Sequence, residues 1–368
     1  MKDYKEKSGY LHITAVRNLT SGQRQQLEAE FIAMRRLELR WETIAFHNGE
    51  TVNEFEKNFP LIFRPMFFRN LYVWFYMFRN RRNYRFILQR HMAFDPFALV
   101  FSWFISNRIT IHHSKEMEEL KLVKAGWKGR LAALVECISG RVSAVNAKAI
   151  IGVTPEIARY QSEVHNLKKR SFFYPNGICL DSISLLEDRR ITGELHIAFV
   201  CGFFSSWHGL DLLVEAAKEV KSPPYKIFVH VIGNLTSDQE KILDATVTDV
   251  DFIHYGYLSK GEYLEVLSKC DVGLGSLALF RKNLTEAVTL KVREYLAMGL
   301  PVVASGNKDS ALPEDFIYFQ DVGISNIFEK LYEIKLLNSS RLDVRQASVK
   351  YVDKGYWIKN LLTELDDL

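Results

Sequence analysis

Two carboxylates, Glu286 and Glu294, are the residues of this chain best placed by type and spacing to do chemistry. They sit in the stretch TEAVTLKVREYLAMGLPVVAS at Thr285–Ser305. Eight positions apart on one continuous helix, they would point about 80° from each other at 3.6 residues per turn. They converge on a single ligand only if Glu286 precedes the helix and Glu294 lies about one turn inside it. The stretch reads that way. Thr289 is the N-cap, Leu290 to Met298 favour helix, Gly299 is the stop, and Pro301 opens a buried strand at Val302-Val303-Ala304. Between the carboxylates, the unpaired N–H groups of the first helical turn would face a phosphate. A ligand with a phosphate in the middle and hydroxyls at either end suits this arrangement, and a nucleotide-sugar is one.

Other polar clusters fall at the ends of expected strands. Gly202-Phe203-Phe204-Ser205-Ser206-Trp207-His208-Gly209 follows a strand, and its small residues would let backbone and hydroxyls approach a phosphate. Arg281-Lys282 precedes Glu286, where two cations would stabilise the charge that grows on a departing diphosphate. His112-His113-Ser114-Lys115-Glu116 ends the strand Arg108–His112. Adjacent strand residues point to opposite faces, so at most one of His112 and His113 faces a cleft.

The elements that must position these groups alternate along the chain. Leu11–Val16, Trp41–Phe46, Phe86–Arg90, Arg108–His112, Ile150–Val153 and Ser171–Tyr174 read as strands, with a helical run after Gly22 and a long one at Met117–Asn146. Asp181–Glu194 lacks an apolar period and reads as a linker. The alternation then restarts from HIAFVCG, and strands alternating with helices specify parallel, doubly wound sheets. The expected layout is an N-terminal domain over residues 1–183, a C-terminal domain over 192–350, and a last segment, 351–368, packing back on the first.

Composition narrows the function further. A chain of 368 residues holds two domains at ~100–200 residues each. The formal charge of +4 implies no nucleic-acid partner. Four cysteines without a CxxC pair suggest neither zinc nor a disulfide framework, and a reducing cytosol fits them. The polar start MKDYKEKSGY argues against a signal peptide, and no charge-free apolar window of ~18–20 residues suggests a transmembrane helix. Walker A, GxGxxG and GxSxG patterns are absent, which removes the main support for P-loop, dinucleotide and α/β-hydrolase readings. Phe59–Arg85 interleaves aromatics with arginines. It reads either as a core helix with snorkelling arginines or as a patch resting on anionic lipid, where a lipid-linked acceptor would be met.

The combined motifs resemble glycosyltransferase family 4, the group 1 retaining GT-B glycosyltransferases. Glu286–Glu294 has that family's E-x7-E spacing, continued by REYLAMGLPVVAS. WHGLDLLVEA, Gly233-Asn234, FIHYGYLSKGEYLEVLSKCDVGL and YPNGI are similar too, in the expected order. The resemblance implies a GT-B fold of two Rossmann-like, doubly wound domains facing across a cleft, the first binding acceptor and the second donor. It implies that Glu294 holds the donor ribose, that Glu286 sits beside the donor sugar, and that Val288, Thr289 and Leu290 offer N–H groups to the diphosphate. Arg281 or Lys282 would neutralise that group, and Gly202, Ser206, His208, Asn234 and Tyr257 would fall on the donor side. His113, or His112, would contact the donor sugar from the first domain. Many members carry a lysine before the glycine where this chain has His208-Gly209. The activity implied is retaining transfer from a UDP- or GDP-sugar to a glycan or lipid-linked acceptor in cell-surface polysaccharide biosynthesis, without a metal. It would take place in the cytoplasm, with peripheral contact to the inner membrane face in the lipid reading. A GT-B sugar-nucleotide epimerase or hydrolase and a non-catalytic sugar-nucleotide-binding subunit share the same donor site.

Overall fold

The computed structural model describes residues 9–123, 126–306, 308–313 and 317–368. The polar start at 1–8 and two positions of the expected Met117–Asn146 helix, 124 and 125, lie outside the described residues. Contacts divide the chain into two compact units. Unit 1 joins Met1–Cys179 to Lys354–Leu368, and unit 2 is Leu180–Asp353.

Unit 1 holds a seven-stranded sheet, all of its pairings parallel. Its strands are β1 (Tyr10–Ala15), β2 (Trp41–His47), β3 (Glu56–Asn58), β4 (Phe86–Arg90), β5 (Arg108–His112), β6 (Ile150–Gly152) and β7 (Ser171–Phe173), in the order β3-β2-β1-β4-β5-β6-β7. The inner strands β1, β4 and β5 are near-continuous buried runs because both faces are covered. On one face the helices Ser21–Arg36 and Lys354–Asp366 bring Met34, Ile358, Leu361 and Leu365 against Leu88 and Ile111. The first of these helices starts at a reciprocal cap between Thr20 and Gln23.

On the other face, the helix Met66–Asn80 buries Val73, Trp74 and Met77 against Ile13, Phe46 and Ile87. Its outer side leaves Phe67, Phe68 and Phe75 exposed. The core-packing reading of the aromatic and basic stretch describes the inner side of this helix. The short edge strand β3 was not expected from the sequence, because Glu56-Lys57-Asn58 has no apolar alternation to announce it. Arg24 pairs with Glu56 at 2.8 Å.

Unit 2 holds a six-stranded parallel sheet of β8 (Glu194–Phe203), β9 (Lys226–Asn234), β10 (Val250–Gly256), β11 (Val272–Leu274), β12 (Val302–Val303) and β13 (Tyr318–Phe319). The order is β10-β9-β8-β11-β12-β13, so the winding reverses between β8 and β11. In such sheets ligands bind beyond the carboxyl ends of the strands at that reversal. The helices Leu210–Lys218 and Ile327–Leu337 cover one face through Leu213, Ala217 and Leu331.

The helix Leu290–Met298 covers the centre of the other face. Its Tyr295 is fully buried, and the hydroxyl accepts from the Val200 N–H at 2.9 Å. Gly273 in β11 makes room for that ring, since a Cβ there would lie 2.5 Å from Tyr295. Two residues earlier on the helix, Arg293 forms a two-bonded ion pair with Asp309, both side chains fully buried.

A buried pair that loses one partner leaves an uncompensated charge, at a cost of ~3–5 kcal/mol. Arg293→Met is therefore expected to lower the unfolding free energy by about that amount in urea titrations. Adding Asp309→Asn removes the stranded charge and is expected to recover part of the loss.

Candidate active site

The two carboxylates of the Thr285–Ser305 stretch meet the geometric condition for convergence. Thr289 is extended (φ −94°, ψ 145°) and the helix begins at Leu290, so Glu286 lies three residues ahead of the N-cap and Glu294 is the fifth helical residue. Glu286 is held by a parallel bridge to Lys308. The Ala287 N–H donates to the Lys308 carbonyl at 2.9 Å, and the Lys308 N–H donates to the Thr285 carbonyl at 2.8 Å. Glu294 is half-buried near Tyr263 of the helix Lys260–Lys269. Burial, with the Glu294 charge second, raises the Tyr263 phenol pKa above its usual value.

The helix between them is uncapped. Thr236, Ser259 and Ser340 begin other helices of unit 2, and each side chain accepts from the backbone N–H three residues on. Thr289 makes no such bond, and its buried hydroxyl has no partner. The first-turn N–H groups of Leu290, Lys291 and Val292 therefore keep their donors for another acceptor.

Cations surround this terminus unequally. Arg281 gives its fork to Asp211, at 2.9 and 2.6 Å, and donates to the Ser206 carbonyl at 2.7 Å. It staples the loop after β11 to the turn after β8. The Lys282 ammonium lies 4.5 Å from the Trp207 ring centre. Lys291, in the first helical turn, reaches back to the end of β8, where its ammonium lies 3.4 Å from the Cys201 sulfur.

Lys291 did not figure among the expected site residues. The available signal was a basic side chain in the first turn of a helix expected to present its N-terminus to a phosphate. His208 accepts from the Ser205 N–H at Nδ1, at 2.9 Å. Its pKa is pulled down to about 3 by burial and then by Lys291 and Lys282. The ring is therefore neutral, with its proton on Nε2, and offers a donor without a charge.

The remaining residues expected in this site sit at or just beyond the carboxyl ends of neighbouring strands. Gly202 is exposed at the carboxyl end of β8, and Ser206 is exposed in the turn after it. Asn234 is exposed at the end of β9, and Tyr257 is exposed just beyond β10. Gly233 crosses close under β8 at φ 127°, where a Cβ would lie 1.5 Å from the Cys201 carbonyl oxygen, so no other residue fits.

In unit 1 the paired histidines go separate ways. His112 is buried, its Nδ1 3.2 Å from Glu116, and its ring stacks on His91 at 4.5 Å. His91 in turn bonds Glu136 at 2.6 Å. His112 is thus engaged in an internal network through Nδ1, while its Nε2 is buried without a partner. His113 is partly exposed, with an unpartnered Nε2 in a separate pocket on the other side. Burial, Arg90 and His12 hold its pKa well below the usual histidine value, which keeps it neutral.

Residues 194–317 match the family described as Glycosyl transferases group 1. No curated protein matches the sequence. Among solved structures, the apo form of the lipopolysaccharide outer core galactosyltransferase WaaB is similar at a TM-score of 0.64 and 10% identity, covering 98% of this chain and 99% of that one. The sucrose-phosphate synthase of Thermosynechococcus elongatus has a TM-score of 0.64 and 15% identity, covering 98% and 99%. An alpha-glucosyltransferase in complex with UDP and a 13-mer DNA has a TM-score of 0.58 and 11% identity, covering 95% and 94%. At these identities the likeness is one of fold, the two-unit GT-B architecture.

A charge-assisted hydrogen bond contributes ~1.5–3 kcal/mol, or roughly tenfold or more in affinity. Lys291→Met is therefore expected to weaken UDP binding by about tenfold in calorimetric titration. The same substitution removes a cation that holds the His208 pKa down, so the imidazole resonances of His208 should titrate at higher pH than in the parent protein.

Proposed function

This chain carries a group 1 glycosyltransferase domain at residues 194–317 within a GT-B fold, and from that premise we propose that it is a retaining transferase. It moves a hexosyl group from a UDP- or GDP-sugar to a glycan or lipid-linked acceptor in the synthesis of a cell-surface polysaccharide. One observation carries the reading: an uncapped helix N-terminus with a buried, unpartnered Thr289 hydroxyl, beyond the strand ends where the sheet reverses. The N–H groups at Val288, Thr289 and Leu290 receive the diphosphate. Lys291, Lys282 and the Nε2–H of His208 offset the charge that grows as the bond from diphosphate oxygen to anomeric carbon breaks. These donors act in place of a metal ion, so transfer persists in excess EDTA. Glu294 holds the ribose hydroxyls, and Glu286 stands beside the donor sugar. Acceptor recognition falls to unit 1.

Among the described residues, no helix is long and apolar enough to cross a membrane. A lipid-linked acceptor would instead be met at the surface, and unit 1 carries a face that suits it. Beside the exposed Phe67, Phe68 and Phe75 lie exposed Trp103 and Phe104, with exposed Arg64, Arg79 and Arg82 along the same segment. Phe104 contacts Phe78 of the same helix at 6.2 Å between ring centres. The 20-residue helix Trp127–Asn146 adds Trp127, Leu131, Leu134 and Ile138, one exposed stripe at alternating four- and three-residue spacing. Aromatics among arginines on one exposed face suit the headgroup region of an anionic bilayer.

Glu286→Ala should abolish transfer of label from donor to acceptor while UDP still raises the thermal midpoint. Full transfer by that variant would sink the assignment. Incubating donor with and without acceptor distinguishes transfer from epimerisation or hydrolysis. In flotation assays the chain should bind vesicles rich in anionic lipid, less so as salt rises and less again after Trp103→Ser with Phe104→Ser. Binding that ignores both changes would overturn the membrane face.

A further inference from the structure

Unit 1 contains a polar pocket that the donor chemistry does not use. It lies between the sheet and the helices Ser21–Arg36 and Lys354–Asp366, and it is lined by His12, Arg90, His113, Tyr174, Asn176 and Lys354, with Glu30 at its base. The Glu30 carboxylate is already fully engaged. One oxygen accepts from His12 Nδ1 at 2.7 Å and from the Thr43 hydroxyl at 2.8 Å, and the other accepts from the Tyr174 hydroxyl at 2.9 Å. Burial alone would raise its pKa, but His12, Lys354 and Thr43 draw it down to about 2, so it is ionised. Lys354 donates to the Pro175 carbonyl at 3.0 Å and lies 3.3 Å from the centre of the Tyr174 ring.

Three groups facing the pocket are left over. The Arg90 guanidinium, at the end of β4, has no hydrogen-bond or ion-pair partner among the described residues. His12 is 5% exposed, and with Nδ1 turned to Glu30 its Nε2 is buried without a partner. His113 Nε2 is likewise buried and unpartnered. Two cations, Arg90 and Lys354, line the pocket beside one lining carboxylate, Glu30, while the charges of Glu116 and Glu119 also act on Arg90 from outside it. A guanidinium offers five N–H donors, and those of Arg90, which no protein group accepts, reach the solvent side of the pocket. The pocket holds about 20 Å³, against the ~10–15 Å³ that one water needs. It admits one oxygen-bearing group and excludes a sugar ring.

We propose that this pocket is a binding subsite for an anionic oxygen, a carboxylate or a phosphate, borne on the acceptor, with Arg90 as its principal counter-ion. Its assignment to the acceptor rests on the reading of unit 1 given above, whereas the anion site itself stands on Arg90, His12 and His113 alone. The ring that bears the anion stays at the mouth, among Gln26, Arg90, His113 and Asn176, all of them partly exposed. An acceptor of this class is an acidic or phosphorylated sugar rather than a neutral one.

The test uses the full chain and ligand-observed NMR titration with three probes: glucuronate, glucose 6-phosphate and glucose. Saturable binding of at least one acid is expected, with none of glucose. Inorganic phosphate should compete with the acid that binds. Arg90→Gln should weaken that acid by about tenfold or more. UDP stabilisation, read in the same samples, should be equal in the two proteins. No saturable binding of either acid, or equal acid binding by wild type and Arg90→Gln, overturns the subsite. Loss of the UDP effect with acid binding intact overturns the transferase reading and leaves the subsite standing.

Discussion

The candidate site of unit 2 depends on one buried ion pair, Arg293 with Asp309. The helix that carries Arg293 is nine residues long, shorter than the ~12–15 at which an isolated helix becomes even marginal, so its surroundings must hold it. Tyr295 anchors it to the centre of the sheet. Arg293 then ties it to the segment after β12, because Asp309 also accepts the Ala311 N–H at 3.1 Å and donates its own N–H to Gln320 at 2.9 Å. The residue next to Asp309 is Lys308, whose backbone is in register with Glu286. The position of Glu286 relative to the helix N-terminus is therefore set through Asp309. Neither charge can be buried alone, which makes the arrangement close to all-or-none.

A second constraint runs through both units: polar groups that the fold leaves unmet. A capping bond from Thr289 would stabilise its helix by ~1 kcal/mol, and the same residue type at Thr236 makes that bond. At Thr289 the bond is absent while the hydroxyl is buried, so the helix end is complete only with an acceptor from outside the chain. His12 Nε2 repeats the pattern in unit 1, in a pocket whose one lining carboxylate, Glu30, is already bonded four ways, by His12, Trp41, Thr43 and Tyr174.

What could be read from the sequence was local. The alternation of buried runs with amphipathic ones specified two parallel sheets, because parallel strands covered on both faces leave an apolar signature. The edge strand β3 is charged and β13 is two residues long, so neither left one. The E-x7-E stretch was legible because its cap, stop and proline all lie within it. Ion pairs are different. Asp211 lies 70 positions from Arg281, and nothing near either residue announces that the guanidinium is engaged. Strand alternation did indicate that His112 and His113 diverge. It did not reveal that His112 ends in a network with His91, Glu116 and Glu136, whose members come from separate elements.

The departure at His208 and the placement of Lys291 belong together. Many chains that this one resembles carry a lysine before the glycine of the turn after β8, where it can act as a point charge toward phosphate. Here Lys291 approaches the end of β8 from the helix side, close enough to Cys201 to bond it and close enough to His208 to hold that ring unprotonated. A lysine at 208 would set a second cation in the same partly buried space, and two like charges there would depress one another's protonation. A neutral ring with its Nδ1 occupied by the backbone and its Nε2–H free avoids that repulsion. The turn then keeps a donor for phosphate, while the charge is supplied from the first turn of the helix, where the unmet N–H groups already favour an anion.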